Sequence, residues 1–180
     1  ISREIDKQLN EWKESKLHKP LLLRGARQVG KSSAVRHLGE SFDYYIEANF
    51  EKRTELKDLF KQTTDVRLLA SNIGLLYNTP IIAGKTLLFL DEIQVSSEAI
   101  KSLWFFKEDF PELHIIAAGS LLEFTLKDLA SFGVGRIRSL FMYPFSFDEF
   151  LIAQGKKDWV EAKQMADAEK PLFEALHNEL

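Results

Sequence analysis

Gly25-Ala26-Arg27-Gln28-Val29-Gly30-Lys31-Ser32 carries the spacing G-x-x-x-x-G-K-S, in which every fixed position has a task in holding a chain of phosphates. Gly25 lets the backbone leave a strand sharply, and Gly30 allows amide N–H groups to converge on phosphate oxygens where a side chain would collide. Lys31 supplies a cation for the β- and γ-phosphates, and the Ser32 hydroxyl can ligate a Mg²⁺ ion that bridges them. With the positive end of the helix that starts there, Gly25, Gln28, Val29, Gly30, Lys31, Ser32 and Ser33 form the expected nucleotide-binding set. The ligand this predicts is a nucleoside triphosphate with Mg²⁺.

The second pair of interest is Asp91-Glu92, at the end of the apolar run Leu87–Leu90. An aspartate closing a buried strand can reach a Mg²⁺ held by the phosphate loop, so Asp91 joins Ser32 as a metal ligand. A carboxylate one residue on can orient and deprotonate a water molecule, which makes Glu92 the expected general base and hydrolysis the favoured reaction. No N-K-x-D stretch is present to read guanine, so the expected nucleotide is ATP. Two alternatives stay open: a small-molecule kinase, which has less use for Glu92, and an interaction module that ATP orders with little turnover.

The segments around these motifs alternate in type. Ile5, Leu9 and Trp12 recur at helical spacing before Pro20; Pro20–Arg24 reads as a short buried strand, and Lys31–Leu38 as a helix closed by Gly39. Tyr44–Phe50 reads as a strand, Val66 to Leu76 as a helical stripe ending near Asn78, Leu87–Leu90 as a strand, and Ser96 or Ser97 as the start of a helix through Phe106. His114–Ala118 is a further strand with a helix expected behind it from Leu121 to about Ala130; Arg138–Met142 is a fifth strand, and Ser146 with Glu149 has capping-box spacing before a helix to Ala153. Strands alternating with helices in this way predict an α/β fold, a three-layer αβα arrangement around a mainly parallel five-stranded sheet. The expected division is a nucleotide-binding domain over 1–155 with its lead-in helix, and a helical tail over 156–180.

Composition narrows the class. The chain has 180 residues, 45% of them hydrophobic, no cysteine and a formal charge of -3. Cysteine-free sequence excludes a disulfide scaffold and thiol-bound zinc, and it fits a cytoplasmic setting. No apolar run is long enough to span a bilayer. The net charge gives no bulk attraction to nucleic acid, and the one basic cluster, Lys13, Lys16, His18 and Lys19, reads as a solvated helix face. His18, His37, His114 and His177 lack ligand spacing and read as surface or core histidines. Phe105, Phe106, Phe110, Phe141, Phe145, Phe147 and Phe150 read as core aromatics.

The strings RGARQVGKS, LLFLDEIQ, AAGS and GRIRSLFMYPFSFDEFL, in that order, resemble the AAA-like ATPase domain that stands ahead of a DUF4143 domain in bacteria and archaea. The resemblance runs from about Arg3 to Ile152. It implies a five-stranded core in which the strand ending at Gly119-Ser120 lies between the phosphate-loop strand and the Asp91 strand. It also gives Ser120 a sensor position facing the γ-phosphate, where relatives often carry asparagine or threonine; a helix N-cap is the plain alternative. It marks Arg136 as characteristic. An arginine in that glycine-flexed stretch could stabilise transition-state charge on the γ-phosphate, within its own chain or on a neighbour; otherwise it is a surface arginine paired with Asp128 or Glu123. A protein partner or self-association stays open.

Overall fold

Three apolar runs end in the residues singled out above, and the sheet sets those ends side by side. The computed structural model describes residues 3–120 and 135–165. Strands β1 (Leu21–Arg24), β2 (Tyr44–Asn49), β3 (Thr86–Asp91), β4 (His114–Ala118) and β5 (Arg138–Phe141) form one sheet in the order β2-β3-β4-β1-β5. Every pairing is parallel, so the sheet expected to be mainly parallel is parallel throughout. β4 does lie between β1 and β3, with Leu21 opposite Ile116 and Asp91 opposite Ala118. Strand ends that carry Gly25, Asp91 and Gly119 therefore share one edge, the carboxyl edge, where parallel α/β sheets place their ligands.

The helices are α1 (Glu4–Glu14), α2 (Lys31–Gly39), α3 (Glu55–Gln62), α4 (Val66–Tyr77) and α5 (Ser97–Asp109), then α6 (Phe147–Ala153) and α7 (Lys157–Met165). Of these, α1 to α5 cover both faces of the sheet, which is why its strands are continuously apolar rather than alternating. The period of two still sorts them. Leu21, Leu23, Leu87, Phe89 and Ile116 pack with Ile5, Leu9 and Trp12 of α1 and with Val35 and Leu38 of α2. Their neighbours Leu22, Leu88, Leu90, Ile115 and Ala117 pack on the opposite face with α3, α4 and α5. This is the three-layer arrangement that the alternation predicts.

Local rules account for most boundaries. Asp65 accepts from the Arg67 and Leu68 amides at the start of α4, and Ser96 accepts from the Ala99 amide at the start of α5. Asn78 takes the left-handed conformation that closes α4. Gly39 does not close α2 as expected; it is the last helical residue, and Glu40 follows in right-handed geometry. Its lack of a side chain matters for packing, since a Cβ there would stand 2.6 Å from the Tyr45 ring. Helix α3 was absent from the sequence reading, although Leu56 and Phe60, four residues apart, are both buried. The helix expected over Leu121 to Ala130 lies outside the described residues, as do the tail beyond Met165 and His177. Among the described residues no helix is long and apolar enough to cross a membrane.

The chain divides into two compact units, Ile5–Tyr143 and Ile1–Glu4 with Pro144–Leu180. The second stretch of the smaller unit begins at Pro144, ahead of α6. In the smaller unit the capping box of Ser146 and Glu149 opens α6, Arg3 pairs with Glu149 at 3.2 Å, and Lys163 of α7 pairs with Asp148 of α6 at 2.5 Å. That last ion pair ties α7 to α6. The aromatic reading needs correction here. Phe106 and Phe110 are buried, but Phe141, Phe145, Phe147 and Phe150 are each 40–47% exposed.

Two of the histidines form a buried stack in the larger unit. The His18 and His114 rings lie 3.8 Å apart and nearly parallel, with Trp12 edge-on to both. His114 Nε2 faces the Lys13 carbonyl at 3.2 Å and His18 Nδ1 faces the Ser15 carbonyl at 3.3 Å. Each of these nitrogens faces a carbonyl oxygen and so donates its N–H, and the other nitrogen of each ring is buried with no hydrogen-bond partner among the described residues. Burial, helped by neighbouring His18 and opposed by the hydrogen bond to the Lys13 carbonyl, lowers the His114 pKa from 6.5 to about 4. The folded protein therefore resists a proton that the unfolded chain accepts, and stability present above pH 6.5 is lost as pH falls toward 4. At about 1.4 kcal/mol per pH unit the loss is on the order of 3 kcal/mol. Urea unfolding between pH 7 and pH 4 is expected to show it, with His114→Phe giving a flatter profile; equal slopes in parent and variant would contradict the assignment.

Candidate functional site

The loop after β1 departs abruptly because β5 lies beside β1, with Met142 N–H donating to the Arg24 carbonyl at 2.8 Å. A Cβ on Gly25 would run into the Met142 carbonyl oxygen, and Gly25 has φ 142°. Glycine is therefore required there by contact as well as by conformation. Gln28 has φ 64° and Gly30 has φ 98°, so the backbone curls and brings its N–H groups round to the start of α2. A non-glycine residue in that region is strained, and such strain collects at ligand sites. Val29 packs against the core beneath the loop, anchoring the curl from below.

This curl forms one wall of an open cleft of about 260 Å³ lined by Arg27, Gln28, Gly30, Lys31, Ser32, Ser33, Asp91, Glu92 and Ser120. Of the residues expected from the motifs, the structure thus gathers Gln28, Gly30, Lys31, Ser32, Ser33, Asp91, Glu92 and Ser120. Gly25 acts as the hinge and Val29 as the anchor, both outside the lining. Lys31 folds back over the loop, its ammonium donating to the Gly25 and Ala26 carbonyls at 2.8 Å each. Burial lowers its pKa, while Glu92 and Asp91 pull the other way.

Ser32 and Asp91 come together from different elements. The Ser32 hydroxyl donates to Asp91 Oδ2 at 3.3 Å, and the same oxygen accepts from Asn49 Nδ2 at 3.1 Å. The Glu92 amide donates to Asp91 Oδ1 at 3.1 Å. Burial raises the Asp91 pKa, and Glu92 adds to the effect. A buried carboxylate beside a second carboxylate is a place where a cation lowers the energy. The donor set is a hydroxyl and a carboxylate, hard oxygens of the kind Mg²⁺ takes with phosphate oxygens and water. No group of three or more His, Asp or Glu side chains forms a metal cage among the described residues. The residues present fit Mg²⁺ shared with a phosphate ligand.

Glu92 follows in a left-handed conformation, φ 54° and ψ 40°, ahead of the 3-10 turn Ile93–Val95. Its Oε2 accepts from Gln94 Nε2 at 2.7 Å. Asn49 and Gln94 are thus two site residues that motif spacing did not assign. Asn49 ends β2, and its place next to Asp91 follows from the β2–β3 register, which sequence does not print. The pairing of Gln94 with Glu92 had a trace in sequence, two residues apart across a turn.

Arg136 is elsewhere. Its Nε donates to Glu108 on α5 at 3.0 Å, and its guanidinium lies 4.8 Å from the centre of the Trp104 ring. Arg138 pairs with Leu21, and its amide bonds to the Pro20 carbonyl. Arg136 therefore stands beyond the amino end of β1, with about 13 Å of strand between it and the loop at the other end. The structure does not bring it to the cleft of its own chain; its described partner is Glu108, while Asp128 and Glu123 lie outside the described residues.

The family model for the AAA domain, AAA_14, matches residues 17–151. No curated protein matches the chain. The matched stretch takes in all five strands, the curled loop and both carboxylates of the cleft, about three quarters of the sequence. By that match, and by the parallel sheet and phosphate loop described above, the chain belongs to the AAA domain family of nucleotide-binding P-loop proteins.

Proposed function

We propose that the chain binds Mg-ATP in this cleft and hydrolyses it to ADP and phosphate, with Glu92 as the general base. The observation that carries the reading is the meeting of Ser32, Asp91 and Glu92 at one cleft. A hydroxyl and a carboxylate suited to Mg²⁺ stand 3.3 Å apart, and a second carboxylate beside them is held by a hydrogen bond of its own. Ser32 and Asp91 would hold Mg²⁺, which when bound neutralises charge shared by the β- and γ-phosphates. Loop amides and α2 receive the phosphates, and Lys31 swings from the Gly25 and Ala26 carbonyls onto the β- and γ-oxygens. Glu92 accepts the proton of a water whose oxygen forms the new bond to the γ-phosphorus. The bond to the β–γ bridging oxygen breaks, and ADP leaves with that electron pair. Ser120, which lines the cleft, would hydrogen-bond the γ-phosphate or that water.

Phosphate release measured with Mg-ATP and no acceptor is the test. Steady release supports hydrolysis. Release only on adding an acceptor would make the protein a kinase, and tight ATP binding without release would make it a nucleotide-gated module. Coupling to a partner protein or to further copies of the chain is part of the proposal, and Arg136 offers a way to examine it. Its ion pair with Glu108 is exposed on both sides and contributes about 1 kcal/mol or less. In dilute protein, Arg136→Ala is expected to keep turnover within about twofold of the parent. If parent activity climbs with concentration and a mixture of Arg136→Ala with Glu92→Gln regains it, Arg136 works in the cleft of a neighbouring copy. A large loss in the dilute monomer would instead return it to its own cleft.

A further inference from the structure

Gln94 is held in a way that its own comfort does not explain. Its carboxamide nitrogen donates to Glu92 Oε2 at 2.7 Å, while its oxygen is buried with no hydrogen-bond partner among the described residues. Buried side-chain oxygens without donors are uncommon in folded proteins, and each calls for a reason. Turning the amide over would not relieve it, because that would set a carbonyl oxygen at 2.7 Å from a carboxylate oxygen. The amide orientation is thus fixed by the negative charge of Glu92. A second cost sits beside the first. Glu92 adopts φ 54°, a conformation that a residue with a Cβ enters only when its surroundings demand it. The 3-10 turn Ile93–Val95 that follows is three residues long, and it carries Gln94 back toward the Glu92 side chain. An unpaired amide oxygen and a strained backbone are therefore both retained where the result is one fixed carboxylate at the cleft. Nearby Asp91 is held differently, by Ser32, Asn49 and the Glu92 amide, so the two carboxylates have separate supports.

We infer that Gln94 is the positioning residue for Glu92: its amide occupies Oε2, fixes the carboxylate and leaves Oε1 as the oxygen that meets the attacking water. The inference rests on the reading of Glu92 as the base. Gln94 touches neither nucleotide nor water in this scheme and acts only through Glu92.

Gln94→Met keeps length and volume but has no N–H to give. Single-turnover phosphate release is expected to fall by roughly 10- to 100-fold, the loss usual when a group that orients a reactive ligand is removed, while ATP and ADP affinities stay within about twofold. The decisive comparison is a double variant. A residue that works only through Glu92 has nothing left to position once Glu92 is replaced by an amide, so Glu92→Gln/Gln94→Met should match Glu92→Gln in residual rate. A further drop in the double variant, or a loss of nucleotide affinity in Gln94→Met, would show a structural role and overturn the inference. Parent-like turnover in Gln94→Met would overturn it too. If Gln94→Met does not fold, Gln94→Asn serves in its place, since its amide falls one methylene short of Glu92 and the same results are expected. A parent that releases no phosphate removes the hydrolysis reading and this inference together. A parent whose turnover is lost in Glu92→Gln and kept in Gln94→Met removes this inference alone.

Discussion

Glu92→Gln is expected to bind Mg-ATP at least as tightly as the parent and to lose about 10²- to 10⁴-fold in single-turnover hydrolysis, the contribution of a well-placed general base. The substitution is close to a pure change of basicity. The Gln94 amide can donate to the new amide oxygen as it does to the carboxylate at 2.7 Å, so the side chain keeps its position. What disappears is the ability to take a proton from water, along with one negative charge beside the bound phosphates. Loss of that charge acts on binding in the opposite direction, which is why affinity should hold or rise by a few fold. ATP titration and phosphate release on the same preparation check both halves. Hydrolysis at the parent rate would remove Glu92 from the chemistry.

Lys31→Ala carries the second large effect, and it falls on binding. In the structure the ammonium rests on the Gly25 and Ala26 carbonyls, and its removal there breaks two hydrogen bonds on a partly exposed loop. Toward ATP it would lose charge-assisted contacts with two phosphates. Such contacts contribute about 1.5–3 kcal/mol each, so a loss of roughly 100-fold or more in affinity is expected. The Asp91 and Glu92 charges would also face the phosphates without their nearest counter-charge, which pushes in the same direction. Calorimetric titration with ATP, beside thermal melting to verify the fold, is the measurement. An unchanged ATP affinity in a folded variant would remove the phosphate loop as the binding site.

These expectations draw on residues that the sequence made visible and on others that it did not. The phosphate loop, Asp91 and Glu92 were legible because their chemistry requires fixed types at fixed local spacing. Strands such as Leu87–Leu90 were legible because burial on both faces demands an unbroken apolar run. The capping box of Ser146 and Glu149 was legible because it closes within three residues. Helix α3 escaped notice because eight residues hold only two fully buried positions, Leu56 and Phe60, too few to set a period against the neighbouring stripe of α4. The demand on the glycine at 39 comes from the Tyr45 ring, six residues away across a turn, which no helix-ending rule contains.

Taken alone, then, the sequence determined the fold class, the phosphate loop and the two carboxylates, since each is written in contacts between near neighbours along the chain. Only the tertiary structure decided the rest of the site. Asn49 reaches Asp91 across 42 residues because β2 lies in register beside β3. Gly25 must be glycine because of the carbonyl of Met142, the residue just past β5, a strand that begins more than a hundred residues later. Arg136, which the local pattern allowed into the cleft, is carried to the opposite end of the sheet by the pairing of Arg138 with Leu21. Strand order and register are fixed by the burial of whole faces, a property of the packed sheet that no short stretch of residues contains.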